Sequence, residues 1–133
     1  MKHLIQSIKQ HEGFSPKPYP DPIHGWEVPT FGYGFTYLDE EEADYLLHRR
    51  IMQTKARLSK AKGFFIQLPE TVQEVLVEMA YQMGVSGLLK FKKMWAALAE
   101  RDYETAAKEA LDSRWAKQTP NRAKVLAEKM KQG

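Results

Sequence analysis

The chain contains no cysteine, which excludes disulfides, zinc–thiolate sites, iron–sulfur clusters and a thiol nucleophile. It also has no long apolar run. Its opening residues, MKHLIQSIKQHEGF, lack the hydrophobic stretch of a signal peptide, and nothing downstream is long enough to span a bilayer. The expectation is a protein made and kept in the cytosol, with no stable membrane insertion. The four histidines, His3, His11, His24 and His48, show no HExxH or other ligand spacing, which argues against a catalytic metal. No serine sits in a nucleophile elbow, and no glycine-rich loop ends in Lys-Ser or Lys-Thr to cradle a phosphate. Neither metal nor cofactor is expected.

What is present is ordinary for a globular protein. With 133 residues, 43% apolar and 28% charged, one domain with a real core is the default. The net charge of +3 is unevenly placed. Residues 1–60 carry eight bases and eight acids, whereas residues 61–133 carry twelve bases and nine acids. Between Arg114 and Gly133 six bases face only Glu128. Such a surface either attracts an anionic partner or is simply a solvated helix face.

Proline divides the chain. Pro16, Pro18, Pro20, Pro22 and Pro29 close residues 16–29 to helix. Ahead of them, Leu4, Ile5 and Ile8 mark a short amphipathic helix ending near Gly13. Behind them, Phe31, Tyr33, Phe35 and Tyr37 alternate with Thr30, Gly32, Gly34 and Thr36, a period of two that predicts a strand with one aromatic and one bare face. The segment around Tyr19–Asp21 is expected to pair with it. Asp39 and Glu42 form a capping box for a helix over about 40–60, and Pro69 opens another that ends at Gly84. Two more helices are predicted over 88–99 and 103–116, and Thr119-Pro120 sets the start of a last one. The fold class is therefore α+β and mostly helical: a small mixed lobe at about 14–38, a connecting helix at about 40–60, and a helical lobe at about 64–133 joined by the N-terminal helix 1–13. A cleft between lobes is the expected place for a ligand.

Two features carry chemistry. Gly32 and Gly34, between Thr30 and Thr36, leave backbone unobstructed, as a close ligand approach requires, although a kink or bulge would look the same. Glu12 and Asp21 border this irregular segment. Two carboxyls flanking a concave surface suit glycoside hydrolysis, one donating a proton to the leaving oxygen and one acting on water. A pair of acids is otherwise an ordinary surface feature. Trp26 is a sugar-stacking candidate or a cover for the small lobe, and Tyr81 is either cleft or core. Met79, Met83, Met94, Trp95 and Trp115 read as core.

His11-Glu12-Gly13, Tyr19-Pro20-Asp21, Pro29 through Gly34, Gln82-Met83-Gly84 and the run Ser113 through Ala123 (SRWAKQTPNRA) together resemble the phage T4-type lysozymes, endolysins of glycoside hydrolase family 24. The resemblance covers nearly the whole chain. It implies a lysozyme-like two-lobed fold and a muramidase that cleaves the β-1,4 bond between N-acetylmuramic acid and N-acetylglucosamine with inversion. Glu12 would be the general acid, Asp21 would position or activate water, and Thr30 would help hold that water, which needs carboxyls roughly 6.5–9.5 Å apart. Gly32, Gly34, Tyr81, Gln82 and Trp26 would contact substrate. Arg122 matches a buried arginine that pairs with and orients Glu12, although a nearby cation favours the charged carboxylate whereas an acid must keep its proton. Peptidoglycan is the implied partner, not nucleic acid. A monomer is expected in the host cytoplasm, dependent on a holin for release to the periplasm and cell wall.

The sequence departs from the family's pattern in places. Phe35 stands where histidine is usual, and eight residues separate Asp21 from Thr30, three more than usual, which predicts a longer Pro22–Pro29 loop. The small lobe is expected to lack a third strand. Positions that elsewhere touch sugar or peptide are Thr36, Met94 and Glu109. Other readings are a catalytically impaired peptidoglycan-binding module of the same fold, a basic nucleic-acid-binding helical domain, and a transglycosylase in which Asp21 would be dispensable.

Overall fold

The computed structural model describes residues 1–133. Contacts divide the chain into two compact units, Met1–Leu46 and Leu47–Gly133. The first holds α1 (Lys2–Glu12), β1 (Ser15–Asp21), β2 (Gly25–Gly32) and the start of α2 (Glu40–Ala61), inside which the division falls. The second holds the rest of α2, a 3-10 turn at Phe65–Gln67, α3 (Glu70–Met83), α4 (Val85–Leu89), α5 (Lys92–Ala99), α6 (Tyr103–Leu111), α7 (Arg114–Gln118) and α8 (Pro120–Gln132). No helix is long and apolar enough to cross a membrane.

In the first unit β1 and β2 pair antiparallel as a two-stranded sheet, with Tyr19 opposite Thr30 and Asp21 opposite Gly25. Both strands are edges, which is why Pro16, Pro18, Pro20 and Pro29 are tolerated without a ladder N–H. The register shifts on either side of Tyr19-Pro20, and Pro20 faces Pro29. The connection is only the turn 22–24, so the added residues lengthen the strands instead of forming a long loop.

The predicted strand over 30–37 is corrected beyond Gly32. Phe31 and Phe35 exchange N–H···O bonds of 2.8 and 2.7 Å, closing a tight turn through Gly32 (φ +60) and Gly34 (φ +79). Left-handed backbone at both glycines ends the extended run that the alternation implied. Tyr33, at the tip, packs edge-on against Phe14 at 5.6 Å and lies under the Lys9 ammonium at 5.3 Å. These contacts tie α1 to the hairpin, and α1 groups with this unit rather than with the helical lobe to which the sequence reading joined it.

The capping box forms as expected: the Asp39 N–H donates to Glu42 Oε1 at 3.1 Å and the Glu42 N–H to Asp39 Oδ1 at 2.8 Å. Two predicted helices are each broken. The 88–99 helix is interrupted after Leu89, because the Leu88 carbonyl accepts from Phe91 N–H (3.1 Å) and from the Trp95 indole N–H (2.9 Å) instead of continuing the α ladder. The 103–116 helix breaks at Asp112-Ser113. There the Ser113 hydroxyl donates to the Ala110 carbonyl at 2.7 Å and accepts from Ala116 N–H at 3.2 Å, satisfying one helix end and the next start. Thr119 precedes α8 but makes no cap bond of its own; its hydroxyl donates back to Trp115 O at 3.0 Å.

The core lies in the second unit. Leu58, Phe65, Val72, Leu76, Met79, Leu88, Met94, Trp95, Leu98 and Met130 are all buried. Ala106, Ala107 and Ala110 of α6 meet Ala123 and Ala127 of α8 in the same core, small residues that let two backbones approach. Leu58 is the one buried residue of α2. Leu58→Ala should lower the unfolding free energy by about 2–5 kcal/mol through lost contact and a cavity, measured by denaturant unfolding; an unchanged midpoint would contradict this packing.

Candidate active site

The site is built within the first unit from the end of α1, the hairpin turn and the glycine turn. Gly13 (φ +72) stops α1 directly after Glu12, and its N–H bonds to Lys9 O. The carboxyl of Glu12 therefore stands at a helix end. Gly34 comes up against it so closely that a methyl group placed on that glycine would lie 2.5 Å from Glu12 Oε2. Only a residue without Cβ fits both the dihedral and this approach.

Asp21 ends β1 and caps the turn that follows. The N–H groups of Ile23 and His24 each donate to its Oδ2 at 2.8 Å. These backbone bonds, His24 first and Ile23 second, hold the carboxyl below its ordinary value of 3.8. Two donors on one carboxylate oxygen stabilise the charged form, so Asp21 is an acceptor, and its Oδ1 makes no bond to the protein.

Thr30, 5% exposed, is the one buried polar residue. Its hydroxyl donates to Val28 O at 3.2 Å, which commits the hydroxyl hydrogen and leaves the oxygen to accept. Glu12, Asp21, Thr30 and Gly34 line one concavity of about 600 Å³, together with His11, Gly13, Phe14, Ser15, Tyr19, Pro22 and Thr36.

Two other expected site residues of this unit, Gly32 and Trp26, stand outside this lining. Gly32 does not line this cavity; the Phe35 ring covers it, 2.6 Å from where a Cβ would be. That ring occupies the position where the family's pattern has histidine. Trp26 lies on β2, not in a loop, 65% exposed and outside the cavity lining. Tyr81 and Gln82 belong to α3 of the helical unit. Gln82 Oε1 accepts from the Trp115 indole N–H at 2.9 Å, and Tyr81 is half exposed. Within the helical unit Arg122 Nε pairs with Glu78 Oε2 at 2.9 Å, both side chains 43% exposed. Glu78 lies 44 residues away in sequence, so no local pattern marks it as this partner. An ion pair so open to water is worth about 0–1 kcal/mol. Tyr19 and His11 line the cavity and were not singled out. Tyr19 was legible, since it stands two before Asp21 in a period-two strand.

An α+β chain that sets two carboxylates and a buried threonine around a glycine-lined concavity has the build of a lysozyme-like protein. The profile of the family described as phage lysozyme matches residues 9–132, and the chain belongs to that family. It is 36% identical over 86 residues to the pre-baseplate central spike protein Gp5 of Enterobacteria phage T4, a match covering 62% of this chain and 15% of that protein. It is 42% identical over 48 residues to the probable T4-type lysozyme 1 of Dictyostelium discoideum, covering 36% of this chain and 28% of that one. These matches thus span less than a third of either relative's length.

Two outcomes follow from this geometry. Gly34→Ala meets unfavourable backbone and displaces the Glu12 carboxylate, costing about 1–2 kcal/mol from the left-handed dihedral. A carboxylate moved by about 1 Å should reduce any activity of the site about 100-fold, with the chain still folded by circular dichroism; full activity would contradict the contact. Asp21 stabilises the fold where its carboxylate is ionised. That contribution is complete above 3.8 and is lost as pH falls through its depressed folded value. The melting-temperature gap between wild type and Asp21→Asn should therefore narrow on acidification below 3.8, and a gap independent of pH would show that the carboxylate bonds contribute nothing.

Proposed function

We propose that this protein is a peptidoglycan hydrolase that cleaves the β-1,4 bond between N-acetylmuramic acid and N-acetylglucosamine with inversion. The observation that carries the reading is the pairing, on one cavity, of an unpinned carboxyl at Glu12 with two oriented acceptors at Asp21 and Thr30. Membership of the phage lysozyme family supports the same class of activity.

The chemistry follows from donors and acceptors. Asp21 Oδ2 is saturated by backbone N–H groups and Thr30 has committed its hydrogen. What remains, Asp21 Oδ1 and Thr30 Oγ1, can only accept. A water placed between them gives up both hydrogens to these oxygens and turns a lone pair outward, the orientation needed to attack an anomeric carbon. Asp21 takes the water's proton as the C–O bond forms. Glu12 donates its proton to the departing glycosidic oxygen from the other side. A sugar ring seated over the cavity excludes water, the condition under which a carboxylic acid stays protonated for such a step. Gly34 lets the ring and the Glu12 carboxyl approach without an intervening side chain.

In this reading the chain acts as a monomeric endolysin. It waits in the host cytoplasm, crosses to the wall when a holin opens the membrane, and is drawn to an anionic wall by the base-rich stretch from Arg114 to Gly133. The impaired-module reading rests on Phe35 and on the longer Asp21–Thr30 segment; the Phe35 ring lies over Gly32 and outside the cavity lining, which favours turnover over loss of it.

Clearing of chloroform-treated Gram-negative cells, with new reducing ends quantified, tests the assignment. Glu12→Gln and Asp21→Asn should each lower the rate at least about 100-fold, the scale of positioned acid–base catalysis. Undiminished lysis by both variants would refute it; a dispensable Asp21 alone would indicate a transglycosylase.

A further inference from the structure

One wall of the cavity around Glu12 and Asp21 takes no part in the acid–base chemistry. Tyr19 lines it with Asp21 and Thr30, and the strand pairing explains why. β1 and β2 keep step only where Tyr19-Pro20 face Thr30-Pro29. Before this stretch β1 advances four residues while β2 advances two. After it β2 advances four while β1 advances one, which leaves Trp26, Glu27 and Val28 opposite no β1 residue. Bulges of this kind re-aim the side chains beside them. Pro20 keeps Tyr19 itself extended, and Pro18 fixes φ one residue earlier. Alternation then puts Tyr19 on the same face as Asp21. Its neighbour across the ladder is Thr30, and directly opposed residues have β-carbons roughly 4.5–5.5 Å apart.

The fold makes no use of what Tyr19 carries. Its ring is partly buried yet stacks on no other ring, since Phe14 pairs with Tyr33 and Phe31 with Phe35. Its hydroxyl has no hydrogen-bond partner within the protein. The neighbouring groups show what that hydroxyl can supply. Asp21 Oδ1 only accepts, and the hydroxyls of Thr30 and Ser15 give their hydrogens to the carbonyls of Val28 and Lys17. Among the strand residues lining the cavity, Tyr19 is the one whose side chain brings an uncommitted hydrogen. Water held by Asp21 and Thr30 calls for acceptors, whereas the sugar above it presents oxygens that call for a donor. The carbon that the water attacks is bonded to C2 of the ring, which bears the acetamido group. An amide carbonyl is a strong acceptor, and this one lies beside the reacting centre.

We infer that Tyr19 is a specificity-determining residue: its hydroxyl donates to the 2-acetamido carbonyl of the sugar whose anomeric carbon reacts, which selects N-acetylated glycan and fixes that ring above the water. The inference rests on the hydrolase reading of this site. Wild type and Tyr19→Phe are compared on soluble glycan strands freed of peptide, before and after chemical removal of their N-acetyl groups, by release of reducing ends. Phenylalanine keeps the ring and loses only the hydroxyl, so circular dichroism and melting temperature should match wild type. On acetylated strands kcat/KM should fall about tenfold, the scale of one hydrogen bond. On de-N-acetylated strands the two proteins should agree within about twofold, because a contact already lost cannot be lost again. The same cycle is read without turnover, as calorimetric affinity for both kinds of strand in the Glu12→Gln background, and the substitution should again matter only for acetylated strands. An equal loss on both kinds, or no loss on either, would overturn the role of Tyr19 and leave the hydrolase reading standing. Wild type that releases no reducing ends from acetylated strands would sink the hydrolase reading, and this inference with it.

Discussion

The candidate site depends on a missing methyl group. The glycine turn is held shut by two backbone hydrogen bonds between Phe31 and Phe35, and it delivers Gly34 against the Glu12 carboxyl at a separation no β-carbon allows. Tyr33, packed between Phe14 and Lys9, fixes the tip of this turn to the end of α1. Everything else in the first unit is arranged around that approach. The helix must end at Gly13, the hairpin must return at Asp21, and Thr30 must lie opposite Tyr19 to complete the same concavity.

Electrostatics then separates two carboxylates that composition alone treats as equals. Backbone N–H groups from a three-residue turn fix Asp21 as an ionised acceptor, whereas Glu12 has no hydrogen-bond partner in the protein and a bare glycine for a neighbour. Division of labour between such groups comes from surroundings rather than residue type. The proline-rich hairpin contributes by rigidity. Its strands lack several ladder donors, yet proline's fixed φ limits how far the turn at Asp21 can relax.

Much of this was legible in the sequence, and the failures have a common cause. Helices announced by caps and apolar periodicity, such as α2 and α3, fall where Asp39, Glu42, Pro69 and Gly84 place them. The pairing of Tyr19–Asp21 with the following strand was readable from proline and alternation. The strand beyond Gly32 was misread because alternation with glycine is equally a turn of left-handed residues, and only the long-range anchor of Tyr33 decides between them. The breaks at Leu89 and Asp112 were hidden for a similar reason: an indole N–H and a serine hydroxyl replace helical bonds with partners that periodicity does not reveal. The exposed Arg122–Glu78 pair could not be seen either, since 44 residues separate its members.

The stereochemistry of the product bears most directly on the central claim, that water is oriented by Asp21 and Thr30 opposite the bond that Glu12 protonates. Proton NMR of freshly released reducing ends, recorded before mutarotation, reads it. The account predicts the α anomer first, from a single inversion at the β-linked carbon; the β anomer first would mean a nucleophile or path that this geometry does not provide.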